Sequence, residues 1–97
     1  MAKTFATFEL ADGTVHTDVR ITLQDKLQHE RTARAKNWDI EKEAFRTTAF
    51  WAWHAGKREG LHDLTWEQFE ETAVDAAVYS PEEDDEEPGS AEGLAQS

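Results

Sequence analysis

Two spacings of apolar residues divide the chain. Strand formers cluster at Phe5, Thr7 and Phe8 to Leu10, and after Ala11-Asp12-Gly13-Thr14 the residues Val15, Thr17, Val19 and Ile21 alternate with His16, Asp18 and Arg20. Period-two patterning around a glycine turn predicts a β-hairpin, with strands over residues 4–10 and 14–21. The second strand carries one apolar and one polar face, so the hairpin is expected to lie on helices with its other side wet. From Leu23 onward the spacing becomes helical. Thr22 and Asp25 form a capping-box variant before a helix over residues 23–36, whose Leu23 and Leu27 share a face and whose far end is basic. Asn37-Trp38-Asp39 interrupts the pattern. A central helix then runs from about Ile40 to Gly60, and a third opens at the N-cap Thr65 with Gln68 as reciprocal partner, ending between Ala73 and Val78.

The central helix carries aromatics on more than one side. Wound at 100° per residue, Phe45, Ala49, Ala52, Trp53 and Gly56 form one stripe and Ile40, Ala44, Trp51 and Ala55 a second. Phe50 falls among Glu43, Thr47, His54 and Lys57, on the face that should be polar. Gly56 costs a helix up to about 1 kcal/mol relative to Ala, so its place on the main stripe predicts another element packed closely against it. In the third helix Trp66, Phe69, Thr72, Ala73 and Ala76 share a face. The expected fold is α+β: an N-terminal β-hairpin on about three α-helices over residues 1–79, followed by a disordered acidic tail over 80–97.

Charge sharpens that division. Residues 1–79 hold all 10 basic residues against 14 acidic ones, whereas 80–97 hold 7 acidic and none basic. A chain of net charge −11 is poorly made to displace phosphate counterions, so nucleic acid is not an expected partner. Basic residues outnumber acidic ones between Arg20 and Arg58; the tail either lies across that stretch or is simply solvated. No apolar run is long enough for a membrane span and no signal-peptide core is visible, which points to a soluble intracellular protein.

Little catalytic chemistry is legible. The chain has no cysteine, its serines are Ser80, Ser90 and Ser97, and there is no phosphate-binding glycine loop or metal-ligand motif. His16, His29, His54 and His62 fall on separate elements, so no metal site and no cofactor are expected. What remains is interaction. An aromatic-laden helix in a domain with little body to bury it suits a protein partner or a second copy. Phe50, Trp51 and His54 are the candidate partner contacts; Phe45, Trp53, Trp66 and Phe69 are the candidate core. The plainer alternative is that Phe50 and Trp51 are merely half-exposed.

EAFRTTAFWAWHAGKREGL followed by DLTWEQF, after FELADGTVHTDVRITLQDKLQHERTARAKNWD, resembles the tail assembly chaperones of long-tailed bacteriophages, especially those of actinobacterial hosts. The resemblance covers roughly residues 5–79. It implies a non-enzymatic protein of the host cytoplasm that binds the tape measure protein, keeps it soluble, assists polymerisation of the tail tube protein and is absent from the mature virion. Self-association is compatible with that role. Two other classes stay open: a structural head or tail subunit retained in the virion, and an acidic mimic of nucleic acid that occupies a DNA-binding protein.

Overall fold

The computed structural model describes residues 3–81; the expected tail from 82 onward lies outside the described residues. The elements are β1 (Phe5–Glu9), β2 (Val15–Arg20), α1 (Leu23–Lys36), α2 (Ala44–Arg58), α3 (Trp66–Thr72) and β3 (Asp75–Tyr79). The fold is α+β. One antiparallel sheet has the order β2-β1-β3, so the hairpin expected from the sequence is present and a third strand joins it on the free side of β1.

β3 corrects the expected extent of the last helix. The apolar periodicity of α3 runs on to Ala76, but the helix stops at Thr72, Ala73 is already extended, and the Val74 N–H bonds to the Glu9 carbonyl at 2.8 Å. Helix propensity at Ala76 and Ala77 yields to pairing with β1, and Val78 and Tyr79 are good strand residues.

A β-bulge corrects the expected faces of β2. Ala6 pairs with Val19 but Phe8 pairs with His16, so β2 spends one extra residue there, and Asp18 takes a left-handed φ of 57°. Tyr79 secures the bulge by accepting from the Asp18 N–H with its hydroxyl and donating to the Asp18 carboxylate. The bulge turns Val19 and Ile21 into the core while Val15 faces out, and His16 rather than Val15 meets Phe8, with ring centroids 5.2 Å apart.

The caps follow the local rules. The Thr22 N–H donates to the Asp25 carboxylate at 2.7 Å at the start of α1, which ends on left-handed Asn37. At α3 the Thr65 hydroxyl accepts from the Gln68 N–H at 3.1 Å while the Gln68 side chain accepts from Thr65. α2 starts four residues later than expected: Asp39 accepts from the Lys42 and Glu43 amides and closes a turn over Ile40 to Glu43, so Ile40 precedes the helix.

α2 is the hub, lying against all three strands and against both other helices. Its side toward the sheet carries Ala52, Ala55 and Gly56, all buried. A Cβ at Gly56 would stand 2.7 Å from Cζ of Phe8 and 3.1 Å from the His62 ring, so the close approach expected there is made by β1 and the α2–α3 loop. The core is mostly aromatic: Phe8 meets Phe69 edge-on at 5.7 Å, and Phe50 meets Trp53 at 5.1 Å and Trp66 at 5.2 Å.

Candidate interaction site

Of the residues singled out from the sequence, Trp66 and Phe69 are buried as expected, and Trp53 is half-buried, packed against Phe50 with its indole N–H bonded to the Leu64 carbonyl at 2.8 Å. Phe45 and Phe50 exchange the roles expected of them. Phe50 is 1% exposed and Phe45 is 92% exposed. Phe50 does leave α2 on the side away from Ala52 and Gly56, but that side is roofed by α1 and α3: His29, Trp38, Trp53, His54 and Trp66 surround its ring. Phe45 shares its azimuth with Ala49, Ala52 and Gly56, yet it stands in the first turn, beside the edge strand β3. It therefore belongs to the right stripe at the wrong end.

His54 is likewise no free contact. Its Nδ1 lies 2.5 Å from Asp25, a fully buried carboxylate that α1 turns toward α2. The Asp25 carboxylate also accepts from the Thr22 N–H and hydroxyl and from Nε and Nη2 of Arg58, at 3.3 and 3.1 Å. Burial alone would raise the Asp25 pKa; the hydrogen bonds from Arg58, His54 and Thr22 outweigh it and hold the carboxyl below its ordinary value. Arg58 is pushed upward by the same bond to Asp25, and it also donates to the Arg20 carbonyl at 2.8 Å. The cluster thus locks the start of α1, the end of β2 and the last turn of α2 together. Its carboxylate–imidazole pair has the form of a base held by an orienting acid, but the nearby Thr22 hydroxyl is bonded to Asp25 and not to His54. The sequence masked this cluster, because the buried stripe of α1 is Asp25, His29 and Ala33 and not the leucines. Capping residues gave the only signal for Asp25.

Among the described residues two exposed apolar surfaces bear on binding. On α1, Leu23 and Leu27 stand one turn apart, 69% and 40% exposed, and Lys26 reaches across to lie 5.3 Å over the ring of half-buried Trp51. The Trp51 indole nitrogen is buried with no hydrogen-bond partner. On the other side, a shallow groove of about 330 Å³ runs between α2, α3 and β3, lined by Phe45, Ala49, Phe69, Ala73 and Ala76 with Arg46, Glu70 and Asp75 at its rim. Among the described residues no group of three or more His, Asp or Glu could hold a metal ion, and no helix is long and apolar enough to cross a membrane. No protein-family model, curated protein or solved structure matches the chain.

Proposed function

We propose that this protein is a binding module for an apolar helical partner, and specifically a tail assembly chaperone that holds the tape measure protein in solution while the tail tube protein polymerises around it. The observation that carries the reading is the outer face of α1. Two leucines at i and i+4 face solvent on a helix whose opposite stripe is already committed to the core, and Lys26 of the same helix stands 5.3 Å over the half-buried ring of Trp51. A partner helix laid along this face would cover both leucines, the kind of contact by which amphipathic segments are captured. The site differs from the one expected: Trp51 stays, Phe50 and His54 leave, Leu23 and Leu27 enter.

The test is co-expression with the large helical protein expected to be encoded downstream, reading that protein's solubility and its complex on a sizing column. The wild-type chain should yield a soluble complex, and Leu23→Ser with Leu27→Ser should lose it while leaving the far-ultraviolet circular dichroism and the melting temperature of the free domain unchanged. A partner that stays insoluble, or a complex indifferent to both serines, would overturn the reading.

A further inference from the structure

The two edges of the sheet are built differently. β2 is an awkward edge: it is bulged at Asp18 and exposes the charged Asp18 and Arg20, devices that discourage pairing with another chain. β3 has no bulge, and its one charged residue is Asp75 at its start. Its sequence is Asp-Ala-Ala-Val-Tyr, its register with β1 is unbroken over five residues, and among the described residues it has a strand neighbour on one side only.

Hydrogen-bond parity shows what this edge offers. The Leu10 N–H bonds to the Thr14 carbonyl and the Ile21 N–H to the Thr4 carbonyl, so even-numbered residues of the β1 segment address β2. Phe5, Thr7 and Glu9 therefore address β3, whose Tyr79, Ala77 and Asp75 answer them. Ala76 and Val78 point their backbone groups to the open side. The Ala76 N–H is occupied only by the neighbouring Asp75 carboxylate, at 2.9 Å.

We propose that β3 is a self-association edge: two copies pair β3 antiparallel about a two-fold axis at Ala77, giving one six-stranded sheet with Phe45 of each copy covering the strand of the other. In this register Ala76 faces Val78 of the second copy, and Val78 faces its Ala76. Both residues aim their backbone groups outward, so both pairs form reciprocal hydrogen bonds. Ala76 and Val78 also share the helix side of the sheet, as their pairing with the buried Phe8 and Ala6 requires, so the helices of both copies fall on the same side. On the opposite side Ala77 meets Ala77 and Asp75 meets Tyr79, so no like charges are opposed. A shift of one residue breaks both matches.

Phe45 supplies the independent argument for an occupant. It continues the sheet-facing stripe of α2 through Ala49, Ala52 and Gly56, and it lines the same groove as Asp75 and Ala76 of β3. A second copy brings a strand whose helix-facing residues, Ala76 and Val78, are small enough to pass beneath a phenyl ring. At the rim Arg46 is already paired with Glu43 and Glu70 of its own chain, at 2.6 and 3.4 Å, so a second copy meets a cation that is already compensated. This surface is separate from the α1 face, so partner capture and pairing can succeed or fail independently.

The experiment is sedimentation equilibrium of the full chain, with cross-linking to read the register. Wild type should behave as a dimer, twice the 11.0 kDa chain. Ala76→Pro removes an outward N–H and none that serves β1, and Phe45→Ser removes the groove-lining ring; each should weaken the dimer at least about tenfold. Ala77→Cys introduces the only thiol of the chain at a non-hydrogen-bonded pair, where Cα atoms lie about 4.5 Å apart, and should cross-link on mild oxidation, whereas Thr17→Cys on the β2 edge should not. A wild-type chain monomeric up to millimolar concentration, a dimer indifferent to Phe45→Ser, or cross-linking through Cys at 17 and not at 77 would overturn the proposal.

Discussion

The two ends of α2 obey the same helical geometry and have opposite fates. From Phe50 to Arg58 the helix is enclosed on both sides, by the sheet under Ala52, Ala55 and Gly56 and by α1 and α3 around Phe50 and His54. In its first turn the sheet has run out, and Phe45 stands in solvent on the azimuth that is buried two turns later. Burial is thus set by where the neighbouring layers begin and end along the helix axis, as much as by the face a residue occupies.

The sharpest way to break this comparison is to truncate its two phenylalanines. Phe50→Ala should have the larger effect, a loss of about 3–5 kcal/mol, because the ring is fully enclosed and its aromatic neighbours cannot collapse onto alanine. Urea unfolding of the free domain measures it. A loss near 1 kcal/mol would mean that α1 and α3 are loosely held and that the far side of α2 is not a second core.

Asp25 binds the enclosed end together by charge. Asp25→Asn should cost about 3 kcal/mol at neutral pH, the low end for breaking a buried pair because Arg58 keeps Glu59 and the Arg20 carbonyl. The pH dependence carries a signature. A carboxyl whose pKa is depressed by folding adds stability that is complete above its unfolded value, about 3.9, and is lost as pH falls through the lower folded value. His29 and His62 act earlier. Burial lowers both pKa values, so the unfolded chain takes up their protons first and stability declines as pH falls below about 6.5. Wild type should therefore lose stability in two stages, and Asp25→Asn should flatten only the stage below pH 4. A variant whose whole acid limb superimposes on wild type would remove the cluster from the account.

What could be read from the sequence was local. The hairpin turn at Gly13, the caps at Thr22 and Thr65, the stop at Asn37 and the close approach at Gly56 each depend on residues within a few positions, or on a backbone conformation that few residues tolerate. Apart from the start of α2, which a local turn at Asp39 delays, the failures were tertiary. β3 forms because β1 has an open side, the bulge at Asp18 is held by Tyr79 from the far end of the domain, and α1 buries Asp25 and His29 in place of leucines because α2 offers them Arg58, His54 and aromatic rings. A helical wheel fixes azimuth, so it placed Phe45 on the sheet side and Phe50 opposite; it does not say that a roof covers the second or that the floor stops short of the first.

Phe45→Ser is the smallest expected change and the most informative about that floor. With its ring 92% exposed, substitution should alter the stability of the isolated monomer by no more than about 0.5 kcal/mol in either direction, as for other surface sites. The same substitution in the paired state removes the ring that lies over the added strand, so its cost should appear only as protein concentration rises: wild type should melt higher at high concentration than at low, and the variant should not. If Phe45→Ser lowers stability by 2 kcal/mol or more in dilute solution, the ring is covered within one chain and the contrast between the two ends of α2 disappears. If it does nothing at any concentration, the exposed ring does not serve self-association. Concentration dependence in wild type, abolished by one exposed side chain, is what distinguishes an unfinished sheet from a merely untidy helix end.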